Sequence, residues 1–587
     1  MQKNKTILIL ILFLITIGIY SCVNKRNLNN NTLVIHMTAE PDGLHPTNDN
    51  SVYRANVFEL LHRYLFRTNF NTLQTEADLV DTMPVISANG TQFTYTLKNG
   101  TTWDDGSPLT VEDIIFSTKI SKCPLTNNPQ SRPAFESISD VVKDPTNAQK
   151  FTVITKEVYF ENPTLIGGVP LLQQKHWDPK GVMKAFQISD FNSKTFEANK
   201  HKDLVKFMEM YNSADNGKIP EKITGLGAYQ IVKWNTGQSL VLVKKKNWWG
   251  SKLKDDMYNN AYADTILFKV IQDQEPVKLA LKKEEIDYTY DISTPLSLIK
   301  LQELDYFNKN YKSGFIQGYS YNYLGMNMRP DNKEHKAFFT DKKVRRAMAH
   351  LLPIEEMFTV LYKNKAMRQT SCTSPLKACY NDSLKSIPFN PQKASQLLAE
   401  AGWKDTDNDG LLDKVINGAK VQFSFQFSYM TGNPIAKEIA LMLKDEMEKV
   451  GVEMLPNPMD FSLFYKNAYN HNFDMMMGGW GGQAGSEDYR GLWHQEAWAT
   501  KGSNFTGFGS AETDVIIEKM NKELDPIKRN QMCKDFQKII YDEQPYVFVA
   551  ARMERVALHK RFAADKFFKQ RPYIHYASLK LAPAFTK

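Results

Sequence analysis

Cysteine is scarce, five residues in a chain of 587. None lies in a C-x-x-C pair and no histidine sits at zinc-finger spacing, so a cysteine-ligated metal centre is not expected. A charge of one sign is lacking too. Lys and Arg number 73 against 65 Asp and Glu, a net charge of +8, and the bases are scattered, which leaves no basic stripe for nucleic acid. Catalytic signatures are missing: H-E-x-x-H, G-x-x-x-x-G-K-[ST] and G-x-S-x-G do not occur. S-x-x-K appears at Ser251, Ser297 and Ser374 without an accompanying K-T-G. The pair Asp104-Asp105 precedes a glycine and reads as turn chemistry. Triads are not local in sequence, yet nothing here argues for one, and a non-enzyme is expected. There is no fixed-period repeat and no low-complexity segment, and no apolar run beyond the first twenty residues approaches a membrane span.

What is present is the balance of a soluble globular protein, 42% hydrophobic and 24% charged, at a length that calls for two or three domains. The aromatic share of 12% is high, suiting aromatic cores and large apolar ligand sites alike. At the N-terminus Lys3 and Lys5 precede the apolar run Ile7 to Ile19, which ends at Ser21-Cys22. Thirteen residues are short for a bilayer span and fit a signal-peptide core behind a basic start. The polar stretch after Cys22, VNKRNLNNN, has no face to pack and reads as a tether. Of the other cysteines, Cys372 and Cys379 bracket the short loop SCTSPLKAC and are expected to pair in an oxidising compartment.

Strand and helix signals alternate along the chain, which predicts α/β architecture. TLVIHM at Thr32 to Met37, QFTYTL at Gln92 to Leu97 and TILFKVI read as strands. AYQIVKW and SLVLVKK form a hairpin across Thr236-Gly237-Gln238. Helical spacing covers Val52 to Phe66, the segment capped by Thr110 before VED, PQKASQLLAEAGW, and PIAKEIALMLKDEMEKVG, which stops at Gly451. Residues 173–220 are polar and Lys-rich and read as a helical excursion away from any core.

These strings occur in an order that resembles one family. TLVIHMTAEPDGLHP is followed by TYTLKNGTTWDDGSPLTVEDIIFS, GLGAYQIVKWNTGQSLVLVKKKNWWG, YLGMNM with FTDKKVRRAMAHLL, KASQLLAEAGWKDTDNDGLLDK, and FDMMMGGWGG with DEQPYVFV. The chain is similar to the solute-binding proteins of peptide and nickel ABC transporters, solute-binding family 5, from Thr32 to Tyr546. The junction IYSC resembles the lipobox at which bacterial lipoproteins are cleaved and lipidated, here on Cys22; Tyr20 departs from the usual small residue. The resemblance implies a type II periplasmic-binding-protein-like fold of two hinged lobes and an extra domain. It assigns residues 1–21 to a lipoprotein signal peptide and 22–31 to a tether. Residues 32–75, 165–315 and 545–587 fall to the first lobe, 76–164 to the extra domain and 316–544 to the second lobe. It implies a monomer in the periplasm, anchored by lipid to the envelope membrane, that passes an oligopeptide-like solute to an ABC permease without altering it and needs no cofactor. A peptide sensor or scaffold without an importer would carry the same motifs.

Carried over residue by residue, the ligand contacts implied are Glu40 in the first turn and Trp480, Gly481 and Gly482 in the Gly-Trp segment. Glycines there let a peptide backbone approach without Cβ clashes. Family members that bind di- and oligopeptides place an Asp three residues after that Trp to pair with the peptide's α-ammonium. Gln483 stands there in this chain, so a different recognition of the solute is expected, with Glu487 and Asp488 near enough in sequence to substitute. Finally, Asp405, Asp407, Asp409 and Asp413 form D-x-D-N-D-G-x-x-D, half of a calcium loop. Ile416 replaces the closing Glu, and a solvated turn is the other reading.

Overall fold

The β-branched, apolar run Thr32–Met37 forms the expected strand and lies near the middle of the largest sheet. The computed structural model describes residues 26–49, 51–128, 131–193, 195–253, 256–331, 335–416, 418–482 and 484–586. Cys22, the leader before it and Gln483 lie outside the described residues. The strand order in the sheet is Glu453–Met459, Ser424–Met430, Met475–Trp480, Tyr311–Met326, Tyr546–His559, Tyr288–Thr289, Thr32–Met37, Thr265–Val270, Ser239–Lys244 and Tyr229–Asn235. Ala366–Arg368 adds to Tyr546–His559 beside this path. The last two strands are the hairpin expected across Gly237, which takes φ 71° at the turn.

Two neighbours in the sheet are long, Tyr311–Met326 with 16 residues and Tyr546–His559 with 14. They run antiparallel and contribute to several hydrophobic cores, two of them large. Val556 and Leu558 are buried with Leu33, Ile35 and Phe268 in a first core. Leu324, Met326, Val547 and Val549 are buried with Phe423, Ile439 and Met454 in a second. The two cores are those of two lobes, and the strand pair is their connection. Its register breaks between them. Gln317 faces Met553 and Tyr321 faces Ala551, so Gly318, Tyr319 and Ser320 stand opposite Arg552 alone. Such a bulge bends a ladder and re-aims the side chains around it.

A four-stranded sheet, ordered Val85–Ile86, Gln92–Thr96, Lys150–Thr155, Ile138–Lys143, packs Phe93, Tyr95, Phe151 and Val153 into the first core. Beside it the helix Val111–Lys122 starts at a full capping box, Thr110 and Asp113 each bonding the other's backbone N–H. The polar stretch 173–220 departs from expectation. It buries a core of its own, with Trp177, Met183, Leu204, Phe207 and Tyr211 packed on Phe116 and Ile120 of that helix. Its apolar residues are few but fall on one side of the helix Lys202–Tyr211, where Leu204, Phe207, Met208 and Tyr211 are buried. The helix expected over Val52 to Phe66 ends at Leu61. His62 is extended at φ −123°, and the chain turns so that Leu65 and Phe66 enter the core.

The expected Cys372–Cys379 bridge is not formed; Cys123, Cys372, Cys379 and Cys533 are all free and buried. The two thiols face different neighbours. Cys379 contacts Cys533 on the helix Pro526–Glu543, while Cys372 hydrogen-bonds toward Tyr489 and Thr373. Among the described residues no helix is long and apolar enough to cross a membrane.

Candidate functional site

Where the long strands pass from one core to the other, a cavity of about 240 Å³ opens beside the bulge. The bulge supplies Ser320 and the facing strand Arg552; Gly478 to Gly481 come from the end of Met475–Trp480, and Asn433 from the N-cap of Pro434–Glu448. Trp480 is half-buried and stands opposite Tyr321 in the ladder. Its ring stacks on Phe505 at 5.5 Å and Tyr323 at 6.1 Å, and its Nε1–H donates to Tyr546 Oη at 3.3 Å. Trp480 is therefore both a wall of the cavity and one member of an aromatic stack that fixes its rotamer.

The glycines around it have separate reasons. A Cβ on Gly478 would meet the Tyr323 ring at 2.5 Å, and one on Gly482 would meet Tyr319 Cβ and its carbonyl oxygen at 2.7 Å. Both positions thus need glycine for packing. A Cβ on Gly481 would meet nothing within 4 Å, so the backbone there is open to a solute.

Arg571 is shared with a second cavity of about 360 Å³ in the first lobe. The helix Val52–Leu61 lines it with Arg54, Phe58 and Glu59, and His62, Trp248, Tyr258 and His575 complete much of its wall. Glu59 is an exposed member of this wall, beside Arg63. Arg63 itself is held by both oxygens of Asp78. Burial keeps the imidazoles neutral, His62 well below its usual value and His575 down to about 3. His62 Nε2 and His575 Nδ1 are buried without a hydrogen-bond partner.

The remaining candidates sit elsewhere. Glu40 lines neither cavity; its Oε2 accepts from Trp234 Nε1 at 2.9 Å and from the Gly237 backbone at 3.0 Å, pinning the hairpin. Glu487 is paired with Lys377 at 2.9 Å. Asp488 accepts from Tyr159 Oη at 2.8 Å, Asn521 Nδ2 at 2.9 Å and Arg490 N at 2.8 Å. Carboxylates so engaged are not available to a solute ammonium. Asp405, Asp407 and Asp413 place one oxygen each within 4.8 Å of the others. Lys420 Nζ lies 2.6 Å from Asp407 and 3.2 Å from Asp413, in the position of a cation. Asp409 instead accepts from Leu411 N and Gln422 Nε2. Sequence reasoning found the Gly-Trp segment but missed Arg552, Arg571 and Glu59. A charged residue inside an apolar strand, as in FVAARMERVAL, was the available signal for Arg552.

Comparison with known proteins agrees with this architecture. The chain is 25% identical to the oligopeptide-binding protein AppA of Bacillus subtilis, covering 97% of this chain and 98% of that protein. The structure of that protein in complex with a nonapeptide superposes with a TM-score of 0.72 at 21% identity, covering 94% of this chain and 99% of that one. NikA from Brucella suis in complex with Fe(III)-EDTA has a TM-score of 0.74 at 16% identity, over 94% and 100%. The model of the bacterial extracellular solute-binding proteins, family 5 Middle, matches residues 74–500, and the chain belongs to that family.

Proposed function

We propose that this protein is the solute-binding component of an ABC importer and captures a peptide-like solute between its two lobes. The observation that carries the reading is the cavity at the crossing of the two long strands, where Trp480 and the open backbone of Gly481 meet a bulged hinge. Closure of lobes around a solute about a few strand residues is a recurrent transition. The complexes of similar proteins with a nonapeptide and with Fe(III)-EDTA support a solute rich in polar groups. Residues 32–75, 165–315 and 545–587 act as one lobe, residues 316–544 as the other, and residues 76–164 as the extra domain. The protein acts as a monomer in the periplasm, held to the membrane by lipid on Cys22, and releases its solute unaltered to the permease. Neither a cofactor nor calcium is required.

The test is small-angle scattering of the purified protein with a tri- to pentapeptide library, followed by recovery of the bound fraction. A smaller radius of gyration and peptides of unchanged mass are expected. Turnover of the bound peptide, or no change in shape with any member, contradicts the reading. For the anchor, Cys22→Ser abolishes fatty-acid labelling; labelling that persists contradicts it.

A further inference from the structure

We propose that the interlobe cavity selects solutes through an anionic group, a carboxylate or phosphate, held between Arg552 and Arg571. The inference rests on the proposed solute-binding function and specifies the solute's charge.

The two guanidiniums come from separate elements, one from the hinge strand opposite the bulge and one from the C-terminal segment, and both line the same 240 Å³ space. No Asp or Glu lines that space. The nearest acidic group on the strand is Glu554, two residues from Arg552. Among the described residues neither arginine forms an ion pair within 4 Å with it or with any other carboxylate. By contrast, Arg63, Arg345 and Arg561 all have such partners. Arg552 Nε is buried with no hydrogen-bond partner. The Arg571 guanidinium lies 5.8 Å from the centre of the Tyr290 ring and donates to the Tyr573 hydroxyl, with Glu554 adding to the attraction on it.

An arginine stays charged, and both side chains here are half-buried with no carboxylate in an ion pair. Two such charges, converging on a space with no carboxylate, favour an anion that accepts from both in a forked geometry. The neutral donors Ser320 and Asn322 lie on the same wall. Such a site disfavours a solute ammonium, in agreement with the engagement of Glu487 and Asp488 elsewhere.

The probes are an N-acetylated tetrapeptide library with free C-terminal carboxylates, the same library C-terminally amidated, and the amidated library carrying one phosphoserine. Binding is read by native mass spectrometry and by fluorescence of Trp480 in the cavity wall. Wild type is expected to retain the carboxylate or phosphoserine library at least tenfold over the neutral amides; which of the two is retained identifies the group. Arg552→Gln and Arg571→Gln each lose that preference, while Arg552→Lys and Arg571→Lys keep part of it. Melting curves separate a folding defect from lost recognition, and the lysine variants carry the test where a glutamine variant unfolds. Equal retention of neutral and anionic libraries overturns this inference and leaves the solute-binding reading standing. No retention of any library overturns both.

Discussion

Tyr159 offers a way to perturb lobe closure without touching either cavity. It follows the strand Lys150–Thr155 of the four-stranded sheet, and its hydroxyl lies 2.8 Å from Asp488 and 3.0 Å from Glu161. The same junction holds a backbone bond from Phe160 N to Asn521 O at 2.9 Å, and Arg529 lies 4.3 Å from the centre of the Phe160 ring. One phenol proton cannot serve two carboxylates. Burial raises the Glu161 carboxyl above its usual range, and the Tyr159 hydroxyl is placed to donate to Asp488 or to Glu161. Tyr159→Phe removes a hydrogen bond to a charged acceptor, worth about 1.5–3 kcal/mol. Asp488 keeps its bonds from Arg490 N and Asn521 Nδ2, so no charge is orphaned and the lower end applies. Because the contact joins the two sides of this junction, about 1.4 kcal/mol lowers the closed-to-open ratio about tenfold. The assay is the distance distribution between spin labels at Val85→Cys and Val515→Cys, both exposed, while every described native cysteine is buried. The closed population falls relative to the open one. A distribution unchanged by Tyr159→Phe, together with a lowered melting temperature, refutes the reasoning and makes the contact a folding contact only.

Gly482→Val forces a side chain against Tyr319 Cβ and its carbonyl oxygen, where even a Cβ would lie at 2.7 Å. Denaturant melts should show a loss of about 1–3 kcal/mol, whereas Gly481→Ala, open on all sides, leaves stability unchanged and weakens solute binding. Lys420→Ala empties the position between Asp407 and Asp413; millimolar calcium then raises the variant's melting temperature by a few degrees and leaves wild type unmoved.

Local patterns carried the fold a long way. The β-rich run TLVIHM, the turn at Gly237 and the cap at Thr110 are decided by neighbours a few residues away, and they form as the sequence implies. The misses come from contacts distant in sequence. Residues 173–220 have a helical face whose partner, Phe116, lies some sixty residues earlier, so the stretch looked coreless. Cys379 contacts Cys533 rather than Cys372, a choice no loop length reveals. At the site, the Gly-Trp segment is a contiguous string and was legible. Arg552 and Arg571 meet only because a bulge and a returning C-terminal segment share one cavity. Glu40 has turn chemistry in the sequence, and a turn-pinning residue is where the structure places it.

Native mass spectrometry of the protein released gently from its own envelope shows whether a solute is carried. One small solute is expected per chain, recovered chemically intact, and lost on mild unfolding or when Trp480→Ala opens the wall of the interlobe cavity. A chain that retains nothing under any growth condition, or one that returns the solute with an altered mass, contradicts that expectation.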